Sequence, residues 1–188
     1  ICTDKSGTLT QNQMTVREVW VAHQRLSVSG VGYEPIGDFT PAPFNTEFKN
    51  DFDWLLSAAL LCNNSRLNPP TSDRPQWTSL GDQTEAALRV LALKGGLDEP
   101  GVTAGYPRIH ELPFDAKRKR MSTIHQWFGQ EIAFVKGAPR EVLQLCTHIL
   151  IDGEVRELDK AIRAEILAAN DDYARNALRV LAIAWREL

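Results

Sequence analysis

Apolar residues recur at helical spacing in three stretches of the chain. Between Glu47 and Cys62 they follow an i, i+4, i+7, i+8, i+11 pattern, which predicts a helix with one buried face. This face consists of Phe48, Phe52, Leu55, Leu56 and Ala59. A second helix is predicted from Asp82 to a stop at Gly95, and a long third one after the N-cap residue Asp159. A short helix is expected over residues 139–146, where Pro139 fits the first turn.

Strands are predicted where apolar residues alternate or run continuously between turn residues. An Asp152-Gly153 turn between two short runs predicts a hairpin. The nearly continuous apolar run at residues 178–185 predicts a central strand. The other predicted strands are residues 14–22, 25–29, 108–114, 121–128, 131–136, 148–151 and 155–158.

Two stretches are predicted to be loops, residues 63–76 with three prolines and the Gly/Pro-rich residues 95–107. Strands therefore come in hairpins and helices in pairs, without regular βαβ alternation. This order predicts an α+β fold with a mostly antiparallel twisted sheet flanked by helix pairs.

Composition narrows the class of protein. The 188 residues are 43% hydrophobic and 24% charged, with a net charge of -3, which is typical of a globular domain and unlike a nucleic-acid binder. The three cysteines form no C-x-x-C pair and are interpreted as reduced thiols. No stretch approaches the ~18 consecutive apolar residues of a membrane span. Because the chain opens on Ile1 and runs directly into a motif, we expect an excised fragment.

The string DKSGTLT at residues 4–10 is the first candidate for chemistry. Asp4 is a potential nucleophile, since carboxylates form acyl phosphates. Gly7 allows close approach to a phosphate, and the neighbouring hydroxyl groups can donate to its oxygens. The alternative is an Asx-type turn with a solvated lysine. Ser6 also occupies the position where haloacid dehalogenase phosphatases carry a general acid, a role that serine cannot fill near neutral pH.

Other candidates each have a structural alternative. Glu85 fits the N3 position of a capping box begun by Asp82, and Phe114 could be an ordinary core residue. Residues 117–120, KRKR, could be a solvated basic turn, and Lys136 could simply end a strand. Arg179 lies beside an apolar run, where burial of its guanidinium requires an anionic partner.

Five strings, in order, resemble the P-type ATPases, most closely the type II, calcium-pump-like branch. The first, DKSGTLTQNQM at residues 4–14, is similar to the phosphorylation signature D-K-T-G-T-L-T-x-N-x-M, with Ser6 in place of threonine. The others are GDQTEAAL at 81–88, LPFDAKRKRMS at 112–122, FVKGAP at 134–139 and RVLAIA at 179–184. The similarity covers essentially the whole chain.

The resemblance implies a role for each matched residue. Asp4 would be the phosphorylated aspartate, with Asp4 and Ser6 on Mg2+ and Thr8 near the transferred phosphate. Phe114 would stack on adenine and Glu85 would accept from its exocyclic amine. The remaining implied nucleotide contacts are Lys119, Lys136, Gly137 and Arg179. Where the family often has a second arginine after the stacking Phe, this chain has Ala116, so Lys117 or Arg118 would have to replace it.

By the same resemblance, residues 1–13 would carry the phosphorylation-site loop and hinge, and residues 14–188 the nucleotide-binding domain. The parent would be a pump coupling ATP hydrolysis to cation transport, with ATP and Mg2+ as cofactors. Its phosphorylation, actuator and transmembrane domains would be the partners. The chain itself is expected to be a soluble, monomeric cytoplasmic piece of a membrane protein that binds ATP or ADP without turnover. Two alternatives are a soluble aspartyl-phosphate phosphatase and a noncatalytic adenine-nucleotide-binding module.

Overall fold

A computed structural model describes residues 13–42 and 45–188. Within this part, the helices are α1 Thr46–Leu61, α2 Gln83–Lys94, α3 Glu99–Gly105, α4 Pro139–Leu143 and α5 Lys160–Arg175. The first strands are β1 Glu18–Val21, β2 Gln24–Val28, β3 Phe39–Thr40, β4 Arg66–Asn68 and β5 Thr78–Leu80. They are followed by β6 Arg108–Asp115, β7 Arg120–Trp127, β8 Gln130–Gly137, β9 His148–Ile151, β10 Glu154–Glu157 and β11 Ala182–Glu187.

Every strand pair in the described part is antiparallel, which confirms the predicted α+β class. The strands are divided among four sheets instead of one. The largest sheet has the order β11-β8-β7-β6, and the others are β1-β2-β3, β10-β9 and β4-β5.

Helix α1 supplies much of the core and lies between the sheets. Its N-cap residue Asn45 accepts a hydrogen bond from the Phe48 backbone N–H at 2.7 Å, as a helix N-terminus requires. The predicted apolar face is confirmed, since Phe48, Phe52 and Leu56 are buried. They pack with Leu26 of β2, so one helix face joins the three-stranded sheet to the rest of the core.

On its other side, α1 packs against the four-stranded sheet through aromatic side chains. The Trp54 ring lies 5.8 Å from Phe134 of β8 and 5.7 Å from Trp185 of β11, in tilted and edge-on geometries favoured by aromatic pairs. The prediction of a central strand at residues 178–185 is wrong, because β11 is an edge strand. Its apolar character arises because α1 and α4 pack against it, which partly buries Ile183 and Trp185.

Two predicted loops contain regular structure. Within residues 63–76, β4 forms and pairs with β5, which begins just beyond this stretch, and the prolines Pro69, Pro70 and Pro75 all lie between these two strands. Within residues 95–107, α3 forms despite two glycines and a proline. Pro100 lies in the first turn, where a missing N–H costs little, and the Glu99 carboxylate pairs with Arg89 of α2. Tertiary contacts thus override weak helix propensity.

Asp51 of α1 is a buried carboxylate that connects the helix to the β9–β10 turn. Its Oδ1 accepts from the Gly153 backbone N–H at 2.9 Å, while Oδ2 has no hydrogen-bond partner among the described residues. Burial raises the pKa of Asp51 above 3.8, because the charged form loses its hydration. The folded state therefore binds this proton more tightly than the unfolded state does.

This shift makes the stability of the chain depend on pH at Asp51. Because the pKa of the folded state is raised, the wild type should lose free energy of unfolding, relative to Asp51→Asn, as pH rises from 3.8 through that raised pKa. Urea unfolding of both proteins across this range measures the difference. A pH-independent difference for Asp51→Asn would contradict the prediction.

Candidate functional site

The register of the four-stranded sheet brings distant parts of the sequence to one end, which we call the site end. Three pairs cross it, Asp115 with Arg120, Arg120 with Gly137, and Gly137 with Ala182. Strands β6 and β8 finish there, while β7 and β11 start there. The residues predicted from sequence that lie at or near this end are Phe114, Lys119, Lys136, Gly137 and Arg179.

Glu85 and Lys136 form an ion pair between α2 and β8. Lys136 Nζ lies 2.5 Å from Glu85 Oε1 and also donates to the Cys62 carbonyl at 2.5 Å. The side chains are only 9% and 12% exposed for lysine and glutamate, respectively. Removing one member of such a pair would leave a poorly hydrated charge. Lys136 thus lies near the end of β8, as the structural alternative has it, and also joins the strand to α2.

The N-terminus of α2 places Glu85 for this contact. Asp82 Oδ1 accepts from the backbone N–H groups of Thr84 and Glu85, which makes Asp82 the expected N-cap. The Glu85 carboxylate turns away from the reciprocal capping-box position, since Oε2 accepts from the Asn64 N–H at 2.8 Å. An ionised carboxylate has about four acceptor positions, so Glu85 can still accept from a ligand.

Phe114 is 64% exposed, so the alternative that it belongs to the core is wrong. It lies near the end of β6, an outer strand of the sheet. The following turn is closed by Asp115 Oδ1, which accepts from the Arg118 N–H at 2.7 Å. The Arg118 guanidinium donates to the Pro113 carbonyl at 3.0 Å, next to Phe114 in sequence. An aromatic face and a cation are therefore held at the same turn.

Lys119 and Gly137 meet where β7 begins and β8 ends. A Cβ on Gly137 would lie 2.5 Å from the Lys119 carbonyl oxygen and 2.6 Å from Arg120 Cβ, so only glycine fits here. The structure thus gives Gly137 a packing role. Lys119 Nζ lies 2.5 Å from Glu141 Oε1, and this hydrogen bond lowers the pKa of the Glu141 carboxyl.

Arg179 lies beside an apolar run, but its side chain is exposed. The guanidinium therefore avoids the free-energy cost of burying a charge. Its Nη1 lies 3.4 Å from Thr84 Oγ1, one residue before Glu85. The guanidinium therefore reaches from the start of β11 to the N-terminal turn of α2. It is available for an anionic ligand.

Sequence reasoning missed the polar groups behind the Glu85–Lys136 pair. These groups belong to residues 62–65, to Arg108 and to Glu111, and they come together only through the packing of α1 on the sheet. Cys62 is buried and burial raises the pKa of its thiol, so the thiol stays protonated beside Lys136. No spacing pattern in the sequence links these positions.

Asp4, Ser6 and Thr8 lie outside the described residues. Among residues 13–42 and 45–188, no group of three His, Cys, Asp or Glu side chains could hold a metal ion.

Two surface depressions lie away from the predicted residues. One of about 720 Å³ is lined by residues from Leu93 to Ala104, and one of about 580 Å³ lies between the β1–β2 hairpin and α5. Of the described helices, none has the length and apolar character needed to cross a bilayer.

Comparison with known proteins identifies the family. The family described as P-type ATPase, cytoplasmic domain N, matches residues 51–188. Calcium-transporting ATPase 1 of Lactococcus lactis is 37% identical over 186 residues, which cover 99% of this chain and 19% of that protein. The calcium-transporting ATPase of Bacillus subtilis is 36% identical over 191 residues, covering 100% and 21%. A probable cation-transporting ATPase F of Mycobacterium tuberculosis is 36% identical over 186 residues, covering 97% and 20%.

The chain spans about a fifth of the length of the curated relatives it matches. The matched stretch starts within α1 and contains Glu85, Phe114, Lys136 and Arg179, the residues gathered around the site end. Since this match covers well over half of the chain, the chain belongs to the P-type ATPase family, and the matched region is the one described as cytoplasmic domain N.

Proposed function

We propose that residues 14–188 bind ATP or ADP as the nucleotide-binding domain of a cation-transporting pump. Residues 1–13 would carry the phosphorylation-site loop, and Asp4 would form the aspartyl phosphate that couples ATP hydrolysis to transport. The calcium-transporting names of two relatives favour Ca2+ or a related cation as cargo. The phosphorylation, actuator and transmembrane domains of the pump would be the partners. Family membership counts against the alternative of a soluble phosphatase.

The observation that carries this proposal is an exposed aromatic ring near the end of β6 together with a fixed carboxylate of α2, which Lys136 holds near the same end of the sheet. Phe114 offers an open face for a purine, and stacking on such a ring stabilises a base regardless of its identity. Glu85 supplies the selectivity, because its carboxylate can accept from the exocyclic amine of adenine but repels the O6 oxygen of guanine. Together these residues read the base.

The exposed cations would face the phosphates. Lys119 and Arg179 are exposed, and Arg179 is already held at the N-terminus of α2. The family often has a second arginine where this chain has Ala116. Arg118, whose guanidinium is held at the Pro113 carbonyl, would take its place. Lys136 has used two of its three N–H groups and is buried, so its main role would be to orient Glu85.

Mg2+ is the implied metal cofactor, and Asp4 with the Ser6 carbonyl would hold it. A carboxylate and a carbonyl are oxygen ligands of the kind that Mg2+ prefers. The metal would neutralise charge on the transferred phosphate. The base-binding residues of the site end act without it, which separates recognition of the nucleotide from phosphoryl transfer.

The first prediction for this function concerns the stacking residue. Phe114→Ala should weaken ATP binding about tenfold or more, because base stacking contributes roughly 1–3 kcal/mol. Calorimetric or NMR titration with ATP measures the change. Phe128→Ala is the control, since Phe128 is 93% exposed in the turn at the opposite end of the same sheet. Equal ATP affinity in the Phe114 variant and the wild type would place the nucleotide elsewhere.

A second prediction separates the base end from the phosphate end. ATP and ADP should bind within about tenfold of each other, because a few exposed charge contacts to the phosphates are individually weak. AMP should bind somewhat more weakly, and GTP clearly more weakly because its O6 would face Glu85. Titration of the four nucleotides with and without Mg2+ tests this. Strong Mg2+ dependence, or ATP far tighter than ADP, would mean that the phosphate end dominates.

A third prediction is that the 188-residue chain binds nucleotide without turnover. Phosphoryl transfer depends on several positioned charges, and the chain spans about a fifth of its relatives. After incubation with γ-labelled ATP and Mg2+, the protein should carry no acid-stable label on Asp4. Incorporation that disappears in Asp4→Asn would contradict this and would show a complete phosphorylation site in this chain.

A further inference from the structure

We propose that Arg108 is a positioning residue for base discrimination, acting through the loop at residues 62–65. This inference rests on the proposed nucleotide-binding function. Arg108 lies at the start of β6, at the end of the strand opposite to Phe114, and no motif of the sequence includes it. The structure nevertheless connects it to both members of the Glu85–Lys136 pair.

The loop at residues 62–65 follows the last turn of α1 and touches both members of that pair through its backbone. The Cys62 carbonyl accepts from Lys136 Nζ at 2.5 Å, and the Asn64 N–H donates to Glu85 Oε2 at 2.8 Å. The Glu85 carboxylate is thus held on one oxygen by Lys136 and on the other by this loop. The direction of its free acceptor positions depends on where the loop lies.

Arg108 fixes the loop from the outside. Its Nη2 donates to the carbonyls of Leu61 and Asn63, each at 2.7 Å, and its Nη1 donates to Asn64 Oδ1 at 2.5 Å. Glu111 completes the arrangement by accepting from the Asn64 amide at 2.8 Å and from Arg108 at 3.1 Å. The carbonyls at a helix C-terminus carry partial negative charge and lack helical partners, so a guanidinium satisfies them well.

Arg108 therefore has two separate effects, one on the stability of the fold and one on the position of Glu85. Its contact with the Leu61 carbonyl, the last of α1, stabilises the fold as a helix cap does. Its contacts with the Asn63 carbonyl and the Asn64 side chain hold the peptide group whose N–H orients Glu85. Loss of Arg108 should therefore blur the discrimination between adenine and guanine. The phosphate-facing cations Lys119 and Arg179 do not contact this loop, so preferences among adenine nucleotides should not change.

A matched control exists in the same chain. Arg163 of α5 also donates to two carbonyls at a helix end, that of Leu143, the last residue of α4, at 2.6 Å and that of Cys146, beyond the helix, at 2.9 Å. Neither acceptor contacts Glu85. Arg108→Met and Arg163→Met therefore each remove a guanidinium that caps a helix while retaining an aliphatic side chain. Only the first variant removes the contact that positions Glu85.

The experiment measures dissociation constants for ATP, ADP and GTP by titration of the wild type and both variants, with thermal unfolding as the fold check. In Arg108→Met, the preference for ATP over GTP should fall about fivefold or more, the effect of losing one net hydrogen bond. Its ADP-to-ATP ratio should stay within about twofold of the wild type. Arg163→Met should lose stability but keep both ratios.

The other possible results would each contradict the positioning role or the proposed function. A folded Arg108→Met with the wild-type preference for ATP over GTP would overturn the positioning role while leaving nucleotide binding intact. An equal loss of preference in Arg163→Met would show that general destabilisation is the cause. If Arg108→Met does not fold, Arg108→Lys tests the proposal instead. Lysine keeps the positive charge at the α1 terminus, but its single nitrogen cannot hold the Leu61, Asn63 and Asn64 acceptors together. Unchanged preference in that variant would overturn the proposal. A wild type that binds no ATP would instead refute the proposed function.

Discussion

The contact between Glu85 and Lys136 constrains the arrangement of this molecule more than any other. It joins the first turn of α2 to the end of β8, and both side chains are largely removed from water. A charge in that position is tolerated only when the opposite charge and further hydrogen bonds accompany it. The surrounding backbone supplies these bonds through Cys62 and Asn64. Helix, sheet and loop must therefore be in register before either charge is satisfied.

That requirement explains why the surface nearby is arranged as it is. Asp82 caps α2 and sets the rotation of its first turn, while Arg108 holds the end of α1. Gly137 lets β8 approach the Lys119 backbone closely enough for its neighbour Lys136 to reach Glu85. Each of these contacts is local, but together they determine the direction of one carboxylate.

The exposed residues around this buried pair have a different character. Phe114, Lys119 and Arg179 lie on the surface, and each has at least one face or charge open to solvent. A fixed acceptor and exposed aromatic and cationic side chains near one end of the sheet are what the proposed nucleotide site requires.

The sequence by itself determined the α+β class, the bounds of α1 and α2 to within a few residues, the start of α5 and the hairpin at Asp152-Gly153, because periodicity, caps and turns are local signals. Its motifs also identified the family and predicted Glu85, Phe114, Lys136 and Arg179 as site residues. Tertiary structure alone decided that β11 is an edge strand, that α3 is helical and that the strands separate into four sheets. It also decided that Lys136 is buried on Glu85, and that Arg108 and Asn64 stand behind this pair. These features depend on which surfaces meet across 21 to 74 residues of chain, and no local pattern encodes that pairing.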